Sequence, residues 1–94
     1  MKKNVLIPAE LFEDRYKKMS SHAKLLYGIL LIESYERSMV DEDGKRYIYF
    51  SRSRVKEALN VANDKAREIL TELEEAALIR RETVTGKNAR IYIS

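Results

Sequence analysis

Apolar positions recur at helical spacing in two long stretches of the chain. After Ser20 and Ser21, whose hydroxyls suit a helix N-cap, Ala23, Leu26, Tyr27, Leu30, Leu31 and Ser34 follow an i, i+3, i+4 rhythm. Leu25, Ile29 and Ile32 widen that stripe, so this helix is expected to be buried on most of its circumference and to prop the core. In residues 63–77 a second stripe, Ala66, Ile69, Leu70, Leu73 and Ala77, marks the inward side of another helix. A shorter helix precedes it, capped by Ser51, with Val55 and Leu59 inward and an end near Leu59 and Asn60.

Strand patterns fill the rest. Residues 46–50 are β-branched and aromatic, and residues 78–83 and 90–94 flank a polar segment at 84–88. Asp41 to Lys45 form a turn in which Gly44 supplies the positive φ a hairpin needs. Val5, Leu6 and Ile7 make a short extended run stopped by Pro8, and Pro8 to Phe12 read as one helical turn. The order is helix, strand, helix, tight turn, helix, hairpin. It predicts a mainly α fold with a small β-hairpin, a winged helix-turn-helix, in one domain over residues 1–94.

Charge sharpens this picture. Residues 52–67 carry Arg52, Arg54, Lys56, Lys65 and Arg67 against Glu57 and Asp64. Residues 68–82 reverse the balance, with Glu68, Glu72, Glu74, Glu75 and Glu82 against Arg80 and Arg81. The net charge of +3 alone decides little, but its basic half coincides with the helix-turn-helix. A helix of that kind enters the major groove by its N-terminal part, whose partial positive charge favours phosphate nearby.

Asn63, Asp64, Lys65, Arg67 and Thr71 are therefore the candidate DNA-contacting residues of the third helix, with Asn63, Lys65 and Arg67 placed to read bases. Arg52 and Arg54 put cations where the preceding helix crosses the backbone. Lys87, Asn88 and Arg90, at or beside the hairpin tip, fit a wing that grips the backbone or minor groove. The carboxylates further along the third helix sit where it should leave the groove.

Other chemistry finds little support. The chain has no cysteine, which removes disulfides and thiolate metal sites and suits a reducing, cytoplasmic setting. His22 is the single histidine, so a zinc site has too few ligands. A DNA-nicking tyrosine among Tyr16, Tyr27, Tyr35, Tyr47, Tyr49 and Tyr92 would lack the histidine-bound metal such chemistry uses. Gly28, Gly44 and Gly86 form no phosphate loop, and no segment reaches the length of a membrane span. A binding protein without cofactor or metal is expected, not an enzyme.

Several blocks resemble a known family. Residues 7–12 with 16–28, then 41–50, 70–79 and 88–93, are similar to the N-terminal domain of RepA, the theta-type replication initiator of plasmids from low-GC Gram-positive bacteria. The resemblance implies double-stranded DNA binding at origin repeats, as a homodimer. It also implies a C-terminal domain, absent from this chain, that engages host replication proteins. Four positions depart from the family. Ala62 replaces the serine that opens the recognition helix, leaving its cap at Ala62 or Asn63, and Ser53 and Arg54 stand where the second helix is usually acidic. Ala77 takes the place of a positive-φ glycine. A winged-helix transcriptional repressor and a winged-helix protein-interaction module remain alternatives on the same fold.

Overall fold

The computed structural model describes residues 6–83 and 89–94. Pro8 opens two successive 3₁₀ turns, Ala9–Phe12 and Asp14–Tyr16, the first of which tucks Leu11 into the core. The chain then enters α1, Ser21–Arg37, capped by the Ser20 hydroxyl, which accepts from the Ala23 amide at 3.1 Å. Ala23, Leu26 and Leu30 lose all contact with solvent. The burial is a stripe, narrower than the apolar pattern implies: Leu25 is exposed, Ile29 and Ile32 line an open groove against the next helix, and Glu33 is buried.

After α1 the chain makes β1, Met39–Val40, and β2, Arg46–Tyr49, an antiparallel pair with Met39 opposite Tyr47. Two residues are too few to show alternation, which is why β1 is silent in the sequence. Asp41 organises the turn: its carboxylate accepts from the amides of Asp43 and Lys45 at 2.9 and 2.8 Å. Gly44 has φ +80° and open space where a Cβ would stand, so conformation alone calls for glycine there.

The two basic-region helices follow. In α2, Arg52–Leu59, the Ser51 hydroxyl caps the first turn, accepting from the Arg54 amide, and Asn60 ends it in the left-handed region with φ 54°. Three residues later α3, Asn63–Glu75, begins with Ala62 at the N-cap and no side-chain cap bond, so the cap has not moved to Asn63. Ala66, Ile69, Leu70 and Leu73 face the core as the spacing predicts. Glu72 ties α3 to α1, its carboxylate accepting from the Ser20 amide at 2.6 Å and the Ser20 hydroxyl at 2.7 Å.

Ala77 departs from the predicted inward face. It is exposed, outside the helix, with φ 60°, while Ala76 packs at the edge of the core. The Leu78 amide donates to Leu73 O and the Ala77 amide to Glu74 O, closing a Schellman cap with Leu73 and Leu78 both buried. An alanine in this conformation costs about 1–2 kcal/mol, part of which glycine returns as extra freedom of the unfolded chain. Ala77→Gly is expected to stabilise the domain by about 0.5–1 kcal/mol in denaturant titration, and a loss of stability would contradict the cap.

The last strands, β3, Ile79–Glu82, and β4, Arg90–Ile93, form the expected hairpin. β4 also pairs with β2, Ile48 opposite Ile91, so the sheet has four antiparallel strands in the order β1-β2-β4-β3. One face sends Ile48, Ile79 and Ile91 into the core beneath the helices. The other carries Tyr47, Tyr49 and Tyr92. The result is a winged helix-turn-helix whose wing strands belong to a larger sheet.

Candidate nucleic-acid interface

Spacing fixes what α3 shows to solvent. Asp64, Glu68, Thr71 and Glu75, at i, i+4, i+7 and i+11, run along the side opposite its buried stripe. Asn63, Asp64, Lys65 and Arg67 are all exposed at the N-terminal end, and Thr71 is half-buried one turn on. Lys65 Nζ lies 3.7 Å from Glu68 Oε2, a surface pair worth little that leaves the ammonium able to swing away. With alanine at the cap, no side chain of residue 62 engages the first amides of α3, which stay suited to an anion.

The acidic half of α3 is partly neutralised from within. Glu72 is held by Ser20, and Glu74 accepts from Arg81 at 2.8 and 3.2 Å. The Arg81 guanidinium holds the Glu74 carboxyl below the usual carboxylate range. With Glu68 beside Lys65, three of the four glutamates of α3 have a partner within the domain.

Beside α3 lies a cleft of about 450 Å³ bounded by Ser51 and Arg52 of the α2 start, Arg67 and Thr71 of α3, Arg81 of β3 and Ala89 before β4. The structure thus brings together Arg52, Arg67 and Thr71 from the sequence-based set. Arg81 is the member that sequence reasoning missed. Its signal was the alternation of β3, which turns Ile79 and Arg81 to the same side, toward the helices.

Two other candidates stand elsewhere. The Arg54 guanidinium forms a two-pronged pair with Glu33, at 3.0 and 3.1 Å, and stacks over Phe50 at 4.2 Å. It lines the α1–α2 groove instead of the cleft. Arg37 reaches the same carboxylate at 2.9 Å, and the hydrogen bond from Arg54 is the first reason Glu33 titrates below its ordinary range. Arg90 lies on the outer face of the sheet, its guanidinium 4.5 Å above the Tyr47 ring and 3.4 Å from Glu42, with only 17% of the side chain exposed. Alternation explains this, since Ile91 next to it points into the core. Lys87 and Asn88 fall outside the described residues.

Among the described residues, no group of three metal-ligating side chains converges, and no helix is long and apolar enough to cross a membrane.

Comparison with known proteins now adds to this geometry. No curated protein sequence matches the chain. A solved structure described as the N-terminal domain of a DNA-binding protein superposes with a TM-score of 0.82 at 28% identity, covering 99% of this chain and 75% of that one. A Rep–DNA complex gives a TM-score of 0.81 at 28% identity, with the same coverage. An MDR initiator gives 0.79 at 25% identity, covering 99% of this chain and 77% of that one. The family model for the N-terminus of replication initiator protein A (RepA) matches residues 4–94, and the chain belongs to that family.

Proposed function

We propose that this domain binds duplex DNA at a replication origin, with α3 in the major groove, and that it works by binding without catalysing a reaction. The observation that carries this reading is the placement of three basic side chains from separate elements, Arg52, Arg67 and Arg81, around one cleft beside the exposed N-terminal end of α3. Asn63, Asp64, Lys65 and Arg67 reach base edges: an arginine or lysine donates to guanine, an asparagine pairs with adenine, a carboxylate accepts from cytosine. Arg52, Lys87 and Asn88 contact the backbone. The solved Rep–DNA complex of similar fold supports DNA binding by this domain.

In this reading the domain acts as a homodimer on repeated sites, while host replication proteins are engaged by another part of the initiator. A protein-interaction module would need an apolar surface on α3, and its outward line of Asp64, Glu68, Thr71 and Glu75 has none. A repressor would use the same residues at a different place on the DNA. Footprinting on the DNA that carries the initiator's own origin separates the two. Protection of repeats within the origin is expected; protection confined to a promoter would favour the repressor.

A further inference from the structure

We infer that Arg81, together with Arg52, seats a backbone phosphate of the bound duplex, and that Glu74, from outside the cleft, holds Arg81 in position. The inference rests on the DNA-binding reading and adds a contact that the sequence pattern did not mark.

Four observations lead to it. First, Arg81 is the cation of β3 that faces the helices, and its neighbour Arg80 faces the other way, stacked 4.2 Å over Tyr92 and paired with Glu82 at 2.8 Å. Second, the residues bounding the cleft include three guanidinium groups and the hydroxyls of Ser51 and Thr71, with no carboxylate among them. That set has the donors a phosphodiester requires and no acceptor charge to repel it. Third, Arg52 and Arg81 come from α2 and β3, elements that stay beside the groove while α3 enters it. Their natural target is therefore the strand backbone, whereas Arg67, on the reading helix, goes on to the bases.

Fourth, Arg81 is oriented but not consumed. Its Nε and one Nη donate to a single Glu74 oxygen, at 3.2 and 2.8 Å, and 29% of the side chain is exposed. A planar guanidinium offers two edges, so the remaining Nη is directed by the Glu74 bond while staying able to donate elsewhere. Arg81 thus keeps a donor for a phosphate without breaking its pair with Glu74, and the contact releases counterions from the duplex.

The test is a set of titrations of the 94-residue chain against a random-sequence duplex and a duplex carrying the footprinted site, each over a range of salt. Arg81→Ala is expected to weaken both about tenfold and to reduce the salt slope by about 0.9, the weight of one lost phosphate contact. Arg81→Lys should recover most of the slope, which shows that charge and not fold was lost. Arg80→Ala, one residue away on the opposite face, should leave affinity and slope unchanged. Glu74→Gln should leave the slope at its wild-type value and affinity close to it, because the amide oxygen can still accept from Arg81 and the cation remains.

Arg81→Ala with a wild-type slope, or with altered base preference, would overturn the inference while leaving DNA binding intact. So would Glu74→Gln weakening the complex as Arg81→Ala does, since the pair would then be structural. Wild-type protein that ignores both duplexes at low salt would instead bring down the underlying reading, and this one with it.

Discussion

Arg54→Ala is expected to destabilise the domain by about 2–3 kcal/mol, more than any substitution on the exposed side of α3. Glu33 is 7% exposed, and its carboxylate keeps its charge because Arg54 and Arg37 donate to it. Removing Arg54 leaves a buried anion with one partner, and it also strips the cation from the Phe50 ring. The cost stays below that of severing a fully buried pair because 45% of the Arg54 side chain already meets solvent and Arg37 remains.

The mirror substitution should cost less. In Glu33→Gln the two arginines lose the carboxylate they share, but both extend into water, so about 1 kcal/mol is expected. The pH dependence follows from the lowered Glu33 titration. A carboxyl depressed in the folded state stabilises it fully above the unfolded value, about 4.3, and loses that contribution as pH falls through the folded value below it. The stability gap between wild type and Arg54→Ala should therefore be widest at neutral pH and shrink below about pH 4. Urea titrations at neutral and acid pH measure it; a gap that does not vary with pH would remove Glu33 from the explanation.

Arg67→Ala is expected to lower affinity for the specific site by about 1–3 kcal/mol and to relax preference at one base pair. Its side chain is exposed in the second turn of α3 and also borders the cleft that Arg52 and Arg81 line. Random-sequence binding should fall much less, because a lost base contact removes discrimination, whereas a lost phosphate contact weakens every sequence alike. A selection from randomised sites with wild type and variant measures both effects. Equal weakening on all sequences would move Arg67 to the backbone set.

Much of this architecture was legible in the chain because its determinants are local. Ser20 and Ser51 are caps, Gly44 and Asp41 make a turn, and the Ala66, Ile69, Leu70, Leu73 stripe orients α3; all act within a few residues of themselves. What escaped depends on distant partners. Glu33 and Arg54 stand 21 residues apart, so nothing in the spacing of α1 announces a buried carboxylate. β1 is visible only through its pairing with β2.

The candidate site divides in the same way. The exposed end of α3 follows from helical periodicity, and the structure agrees on the exposure of Asn63, Asp64, Lys65 and Arg67. Arg81 and Arg90 occupy opposite faces of the sheet. Counting charge by segment sets Arg81 in an acidic stretch and Arg90 beside a basic tip, whereas the two-residue alternation against Ile79 and Ile91 turns Arg81 toward the helices and Arg90 away from them. Both residues demanded register, not composition.

The basic residues around the N-terminal end of α3 are placed to meet a DNA duplex, and a direct titration tests this placement. The purified domain should bind the origin repeats more tightly than random duplex, and its affinity for both should fall steeply between low and physiological salt. Indifference to either duplex at low ionic strength, or affinity that does not change with salt, would contradict the account.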